Sequence, residues 1–263
     1  NADEDTVELY DSQTDSYKKI AYVGTQPAYS EISPDKKYLL YTNAVSDSHD
    51  DEENLTVVDI AAEAETLTKE KVYSPHFTAD GKIIYQSIGD KSSTLNILTV
   101  AGKSQSFPLP SADPFVIEPI NENYVIIYEF SFDVSQANSY VVNTSNGAST
   151  KFISGEGLKI KSVLNSQYVG VQTVSGDQNK VQIVKWQSKE VAKEISNIAL
   201  DDMDWLEDTY YVFVQSGSIY KSSFTSTENT RIAAALDSTL QVRLINRNKI
   251  FISSDEEEKI ITF

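Results

Sequence analysis

The stretch EISPDKKYLLYTN, residues 31–43, sets a proline, an aspartate and two lysines between short runs that alternate apolar and polar side chains, the pattern of a β-hairpin. The pattern recurs. Turn-like residues flanked by strand-like runs stand at 33–37 (SPDKK), 78–82 (TADGK), 121–125 (NENYV), 165–169 (NSQYV), 206–210 (LEDTY) and 246–250 (NRNKI), spaced by 40 to 45 residues. A unit of that length cannot bury its apolar faces alone and must stack on copies of itself, and this period is that of a β-propeller with one four-stranded antiparallel sheet per blade. The expected fold is therefore all-β: a single propeller domain over residues 1–263, with six blades beginning near residues 27, 74, 114, 158, 200 and 238.

With the strands of a blade named a to d, AYSEIS and KYLLYTN read as a and b of the first full unit, NLTVVDI as c and AETLTKEKVY as d. The second unit repeats this order in SPHFTAD, GKIIYQS, STLNILTV and SQSFPLP. VAKEISNIALDD at 191–202 has a helical look, but its place in the repeat makes it strand d and the following loop. Residues 6–23 read as strands c and d, and residues 239–254 as a and b, so the last blade is expected to be closed by both termini and completed by residues 1–26. Closure of this kind removes sheet edges, which otherwise invite aggregation. The terminal EKIITF also reads as strand c, which leaves that blade one strand too many.

ISPDKKYLLYTN followed by NLTVVDIAA, and HFTADGKIIYQS followed by TLNILTVAG, resemble the repeat of TolB-type (WD-like) six-bladed propellers: a Ser-Pro-Asp-Gly-Lys turn, then an apolar c strand ending in Asp. The resemblance covers residues 6–107; beyond it the spacing and strand pattern persist without Pro-Asp-Gly turns. It implies a binding or scaffolding module, commonly exported across the bacterial inner membrane or displayed outside the cell, with no catalytic residues of its own. The recurrent Trp-Asp, paired-glycine and Ser-x-Asp-x-Gly signatures of other propellers are missing.

Apolar residues form 40% of the chain and aromatics 10%, enough for a packed core. The net charge of −17, from 39 acidic and 22 basic residues, argues against nucleic-acid binding and against docking on anionic lipid. A basic protein partner, a cation or plain solubility fits it. With no cysteine there is neither a disulfide framework nor a thiolate nucleophile or sulfur-ligated metal. The longest apolar runs, such as YVIIY at 124–128, are far shorter than the roughly 20 residues that span a bilayer, so no membrane insertion is expected of this segment. The chain starts at Asn1 with no initiator methionine or leader, the start expected of a processed form or excised domain. The expected location is extracytoplasmic: periplasmic, cell-surface or secreted, free or as the soluble part of an anchored protein.

Chemistry is sparse. The two histidines, His49 in an acidic loop and His76 at the start of an a strand, are too few for a histidine-rich metal centre and read first as exposed or structurally satisfied. No Gly-x-Ser-x-Gly elbow and no glycine-rich phosphate cradle is present. Acidic loops are the candidate site. Asp47, Asp50, Asp51, Glu52 and Glu53 lie in the first b-to-c loop, Asp255, Glu256, Glu257 and Glu258 in the last, and Asp201, Asp202 and Asp204 in a d-to-a connection. In a closed six-bladed ring these share one rim and supply twelve of the 39 acidic residues. The expectation is an acidic rim that attracts a basic partner or loosely holds calcium, weighed against solvated loops that keep the chain in solution. DSHDDEEN lacks the glycine and the closing glutamate of an EF-hand loop, so no cofactor is assigned.

The aromatic runs YVIIYEFSF and DTYYVFV read as packing between blades, with Phe130 and Phe132 as alternative ligand-rim residues and Trp186 and Trp205 open to either role. Asn54 and Asn143 head glycosylation sequons that matter only in a glycosylating host. The functional expectation is a non-enzymatic interaction or scaffolding propeller. The alternatives are a propeller hydrolase or lyase acting on glycan or peptide, or a sensor that binds a small ligand in the central channel.

Overall fold

The computed structural model describes residues 6–11, 14, 16–22, 28–44, 53–130, 136–175, 178–225, 228–236, 241–254 and 258–263. Its hairpins are set by their turns. Ser33 is buried, and its hydroxyl donates to Asp35 Oδ1 (2.7 Å) while accepting the Lys37 and Tyr38 amides at 3.2 and 2.9 Å. Thr78 repeats the device, donating to Asp80 Oδ1 at 2.6 Å and accepting the Lys82 amide at 3.1 Å. Later units keep the principle with other residues: Asn121 Oδ1 accepts the Asn123 and Tyr124 amides, and Ser166 Oγ accepts that of Tyr168. A polar side chain at the turn's start replaces a backbone acceptor, so Pro-Asp-Gly is dispensable.

Strands β1 (Thr6–Asp11) and β2 (Ser16–Tyr22) form a two-stranded antiparallel sheet. Then β3 (Tyr29–Ile32), β4 (Tyr38–Ala44), β5 (Glu53–Asp59), β6 (Ala64–Phe77), β7 (Ile83–Ile88), β8 (Ser93–Leu98) and β9 (Ser104–Pro108) pair in chain order as one seven-stranded sheet. Three four-stranded sheets follow: β10 (Phe115–Pro119), β11 (Tyr124–Glu129), β12 (Ala137–Asn143) and β13 (Ser149–Gly155); β14 (Lys159–Ser162), β15 (Tyr168–Ser175), β16 (Gln178–Lys185) and β17 (Val191–Ser196); β18 (Met203–Glu207), β19 (Tyr210–Gln215), β20 (Ser218–Ser223) and β21 (Asn229–Ala234). The last sheet has three strands, β22 (Gln241–Asn246), β23 (Lys249–Ser253) and β24 (Glu258–Thr262). Among the described residues the sole helical element is the 3-10 turn Leu200–Asp202, at the end of the segment with the helical look.

The seven-stranded sheet departs from the expected pattern of separate d and a strands. Its 14-residue strand β6 pairs with β5 as far as Val72 and with β7 from Tyr73, serving as d of one repeat and a of the next. No turn sequence interrupts it. Lys71 (φ 57°) and Ser74 (φ 46°) take the left-handed conformation instead, redirecting the strand where its pairing with β5 and with β7 shifts register.

The chain divides into two compact units, residues 1–130 with 139–151 and residues 131–138 with 152–263. In both, apolar residues along a strand alternate between two buried faces. In the first unit Ile83 and Tyr85 of β7 join Leu40, Leu55, Val57 and Phe77, while Ile84 between them joins Phe115, Ile117, Val125 and Ile127. In the second, Tyr211 and Phe213 of β19 pack with Trp205, Met203 and Ile183, while Val212 joins Val242, Leu244, Ile250 and Ile252. Burial on both faces explains the unbroken apolar runs of the b strands. Each fully buried side chain of this size contributes about 1.5–3 kcal/mol.

Candidate functional site

An a strand has a ladder partner on one side only, so the N–H groups on its other edge need acceptors. Side chains supply them. Phe77 N–H donates to Glu31 Oε2 (3.1 Å), Phe115 N–H to Gln86 Oε1 (2.7 Å) and Ile117 N–H to Ser74 Oγ (2.8 Å) in the first unit. In the second, Leu244 N–H donates to Asp204 Oδ2 (2.7 Å), and Leu200 N–H, in the 3-10 turn before β18, to Gln172 Oε1 (2.7 Å). Each acceptor comes from the preceding repeat and ties it to the next.

This stitching exposes a register that individual motifs do not. The residues paired with Leu40, Ile84, Ile126, Gly170, Val212 and Phe251 of the b strands are Glu31, His76, Glu118, Lys161, Asp204 and Arg243. Every a strand thus carries one ionisable side chain at the same position. In the second unit Lys161 Nζ lies 3.0 Å from Asp204 Oδ1 and donates to the Met203 carbonyl at 2.6 Å.

In the first unit, Glu31 Oε2 accepts the Tyr29 hydroxyl (3.1 Å) as well as Phe77 N–H, and lies 3.3 Å from His76 Nδ1. The Tyr29 oxygen is 2.9 Å from the same nitrogen. Having given its one proton to Glu31, the Tyr29 hydroxyl accepts from His76, which places a proton on Nδ1. Burial works against the charged imidazole, but the hydrogen bond and charge of Glu31, with the charges of Glu118 and Glu53, outweigh it and hold the pKa above its ordinary 6.5. The group is a proton-holding cluster with a phenol and a carboxylate in contact with one imidazole.

A separate cleft of about 360 Å³ in the same unit is lined by Thr78, Lys82, Lys103, Gln105, Glu122 and Ser145 among others. Asp80 pairs with the Lys82 ammonium. Hydroxyls, amides and charged groups share the lining of this cleft with the apolar Ile97 side chain.

The acidic residues singled out from sequence fall in different settings. Asp47, Asp50, Asp51, Glu52, Asp255, Glu256 and Glu257 lie outside the described residues, as do His49, Phe132 and the side chain of Glu258. Glu53 opens β5 and is half-buried. Asp201 is exposed and accepts from Lys159 Nζ at 2.8 Å. Asp202 accepts the Ala199 amide, and burial, aided by the Asp201 charge, pushes its carboxyl above the ordinary range. Asp204 is only 8% exposed and binds Leu244 N–H and Lys161, so its carboxylate stitches sheets rather than facing solvent. Among the described residues no group of three His, Asp or Glu is placed to hold a metal ion. Trp186 and Trp205 are buried, the latter edge-on to Phe224, and Phe130 is exposed.

No protein-family model matches the chain, and no curated protein matches its sequence. Solved structures do. An oligogalacturonate lyase in complex with manganese is similar with a TM-score of 0.71 at 14% identity, over 98% of this chain and 82% of that one. The β-propeller domain of the trilobed protease from Pyrococcus furiosus gives 0.65 at 14% identity, over 100% and 92%. TolB from Acinetobacter baumannii gives 0.61 at 12% identity, over 87% of this chain, which spans 59% of that protein. The fold is an all-β propeller, and the resemblance to TolB stands as likeness of fold. The expectation that the chain is not an enzyme is corrected by the lyase and by a similar acylaminoacyl peptidase from Pyrococcus horikoshii: propellers of this shape include enzymes, and at such identities its enzyme status is open. Among the described residues no helix is long and apolar enough to cross a membrane.

Proposed function

We propose that the chain is a protein-interaction propeller that works outside the cytoplasm and takes a basic partner on its acidic connections. The observation that carries this reading is charge: five acids in the seven residues 47–53, on a chain of net charge −17. Such a field accelerates encounter with a basic surface and repels acidic ones. Asp201 and Asp204 already hold lysines, so the reading rests on Asp47, Asp50, Asp51 and Glu52 between β4 and β5 with Glu53 at the start of β5, and on Asp255, Glu256 and Glu257 between β23 and β24 with Glu258 at the start of β24. The likeness to TolB supports the binding role as fold analogy. Catalysis elsewhere on the molecule is compatible with it.

The test is cross-linked capture from the envelope fraction of the source cell, comparing the wild type with a variant neutralised at Asp47, Asp50, Asp51, Glu52 and Glu53. The reading expects a basic partner retained by the wild type and lost by the variant, with unchanged thermal unfolding. Equal capture by both proteins refutes it.

A further inference from the structure

His76 sits where two a strands meet, and the elements packed around it carry an unusual set of groups. From β3 come Tyr29 and Glu31, both hydrogen-bonding partners or close contacts of its Nδ1. The Tyr29 ring also meets the imidazole edge-on, with centroids 5.1 Å apart. From β10 comes the charge of Glu118, and from the start of β5 that of Glu53. Strand β7 presents no charged side chain; its one titratable group, Tyr85, lies in the apolar cluster with Phe77 and Leu98. The charges that raise the imidazole's proton affinity are thus three carboxylates, and Glu31, which touches it, also accepts the Phe77 amide of β6.

We propose that Tyr29, Glu31 and His76 form a pH-sensitive stitch between β3 and β6, tight while the imidazole carries its second proton and looser once that proton is lost. With the proton present, Nδ1–H donates toward the Tyr29 oxygen and the positive ring neutralises Glu31. Glu31 then holds both the Tyr29 hydroxyl and the Phe77 N–H in a compensated site. On deprotonation the half-buried Glu31 keeps its hydrogen bonds but loses the cation beside it. It then faces the charges of Glu118 and Glu53 uncompensated. The sign follows from linkage. A folded-state pKa above 6.5 gives stabilisation that is complete below pH 6.5 and is lost as pH rises through the folded-state value. For each pH unit by which that value exceeds 6.5, the unfolding constant rises about tenfold across the window.

The chain has only two histidines, so His49→Gln leaves a single imidazole to follow by NMR. In that full-length background the expected result is a His76 titration above 6.5 that falls on Glu31→Gln. Hydrogen-exchange protection at the Phe77 amide, corrected for intrinsic exchange, is expected to drop between about pH 6 and about pH 9. The drop should vanish in His76→Gln, which keeps a hydrogen-bonding side chain but cannot titrate. A titration at or below 6.5, or Phe77 protection with the same pH dependence in wild type and His76→Gln, overturns the proposal.

Discussion

Replacing Asp204 with alanine removes two contacts of different kinds, and the structure says how much each is worth. The first is the 2.7 Å hydrogen bond from Leu244 N–H, on a residue 5% exposed. Without Oδ2 that donor has no replacement in the ladder, because it points away from β23, and an orphaned buried donor costs about 1–3 kcal/mol. The second is the 3.0 Å pair with Lys161, whose side chain is 27% exposed and keeps the Met203 carbonyl as acceptor. Partial hydration limits this loss to about 1 kcal/mol. Asp204→Ala should therefore cost about 3 kcal/mol, near the low end for breaking a buried pair. Asp204→Asn, which keeps an oxygen for Leu244, should cost about 1 kcal/mol. Both tryptophans, Trp186 and Trp205, are buried in the second unit, so their fluorescence during urea unfolding reports the unit that contains Asp204. At a slope of about 3 kcal/mol per molar urea, the alanine variant should unfold about 1 M earlier than wild type. A double-mutant cycle with Lys161→Met should return a coupling of about 1 kcal/mol. Equal, small effects of the alanine and asparagine variants would mean that the carboxylate is solvated and does not tie β18 to β22.

Other perturbations follow from the same contacts. Ser33→Ala strips an acceptor from the Lys37 and Tyr38 amides and should cost about 1–2 kcal/mol in calorimetric unfolding, whereas Ser33→Thr, the residue found at the matching position 78, should cost under about 0.5. Gly147 has φ +73° and a Cβ there would overlap the Phe107 ring and its Cβ, so Gly147→Ala should lower the melting temperature; adding Phe107→Ala should remove only the ring overlap, leaving the contact with the residue 107 Cβ at 2.9 Å and the backbone cost of about 1 kcal/mol. Burial, with the neighbouring Asp201, raises the Asp202 pKa, so ionisation costs stability as pH rises through it. Asp202→Asn should therefore be the more stable protein at neutral pH, with the advantage fading as pH falls toward 3.8 and gone below it; a variant less stable at neutral pH would contradict the sign.

Much of the fold was legible because turns and b strands carry local signals. SPDKK and TADGK announce hairpins through residues a few positions apart, and YVIIY and TYYVFV mark strands buried on both faces. The continuity of β6 was not legible: AETLTKEKVY and SPHFTAD read as two strands, and only the pairing of Val72 with β5 and of Tyr73 with β7 joins them. The ionisable register was harder still. Glu31, His76, Glu118, Lys161, Asp204 and Arg243 lie 39 to 45 residues apart in four chemical types. Only strand pairing shows that they share one position. Aligning the repeats on the b strands would have found them. Asp204 read as one more surface acid because sequence alone cannot show that Leu244, 40 positions later, brings it an amide.

Salt is the sharpest probe of the proposed hold of the acidic connections on a basic partner. Capture is compared at about 0.05 M and about 0.5 M salt, where screening shortens from well over 10 Å to about 4–5 Å. The proteins are the wild type and a variant neutralised at residues 50–53 and 255–258. A basic partner should be held by the wild type at low salt and released both by high salt and by neutralisation. The same partners retained under all conditions would contradict it and return these loops to a role in solubility.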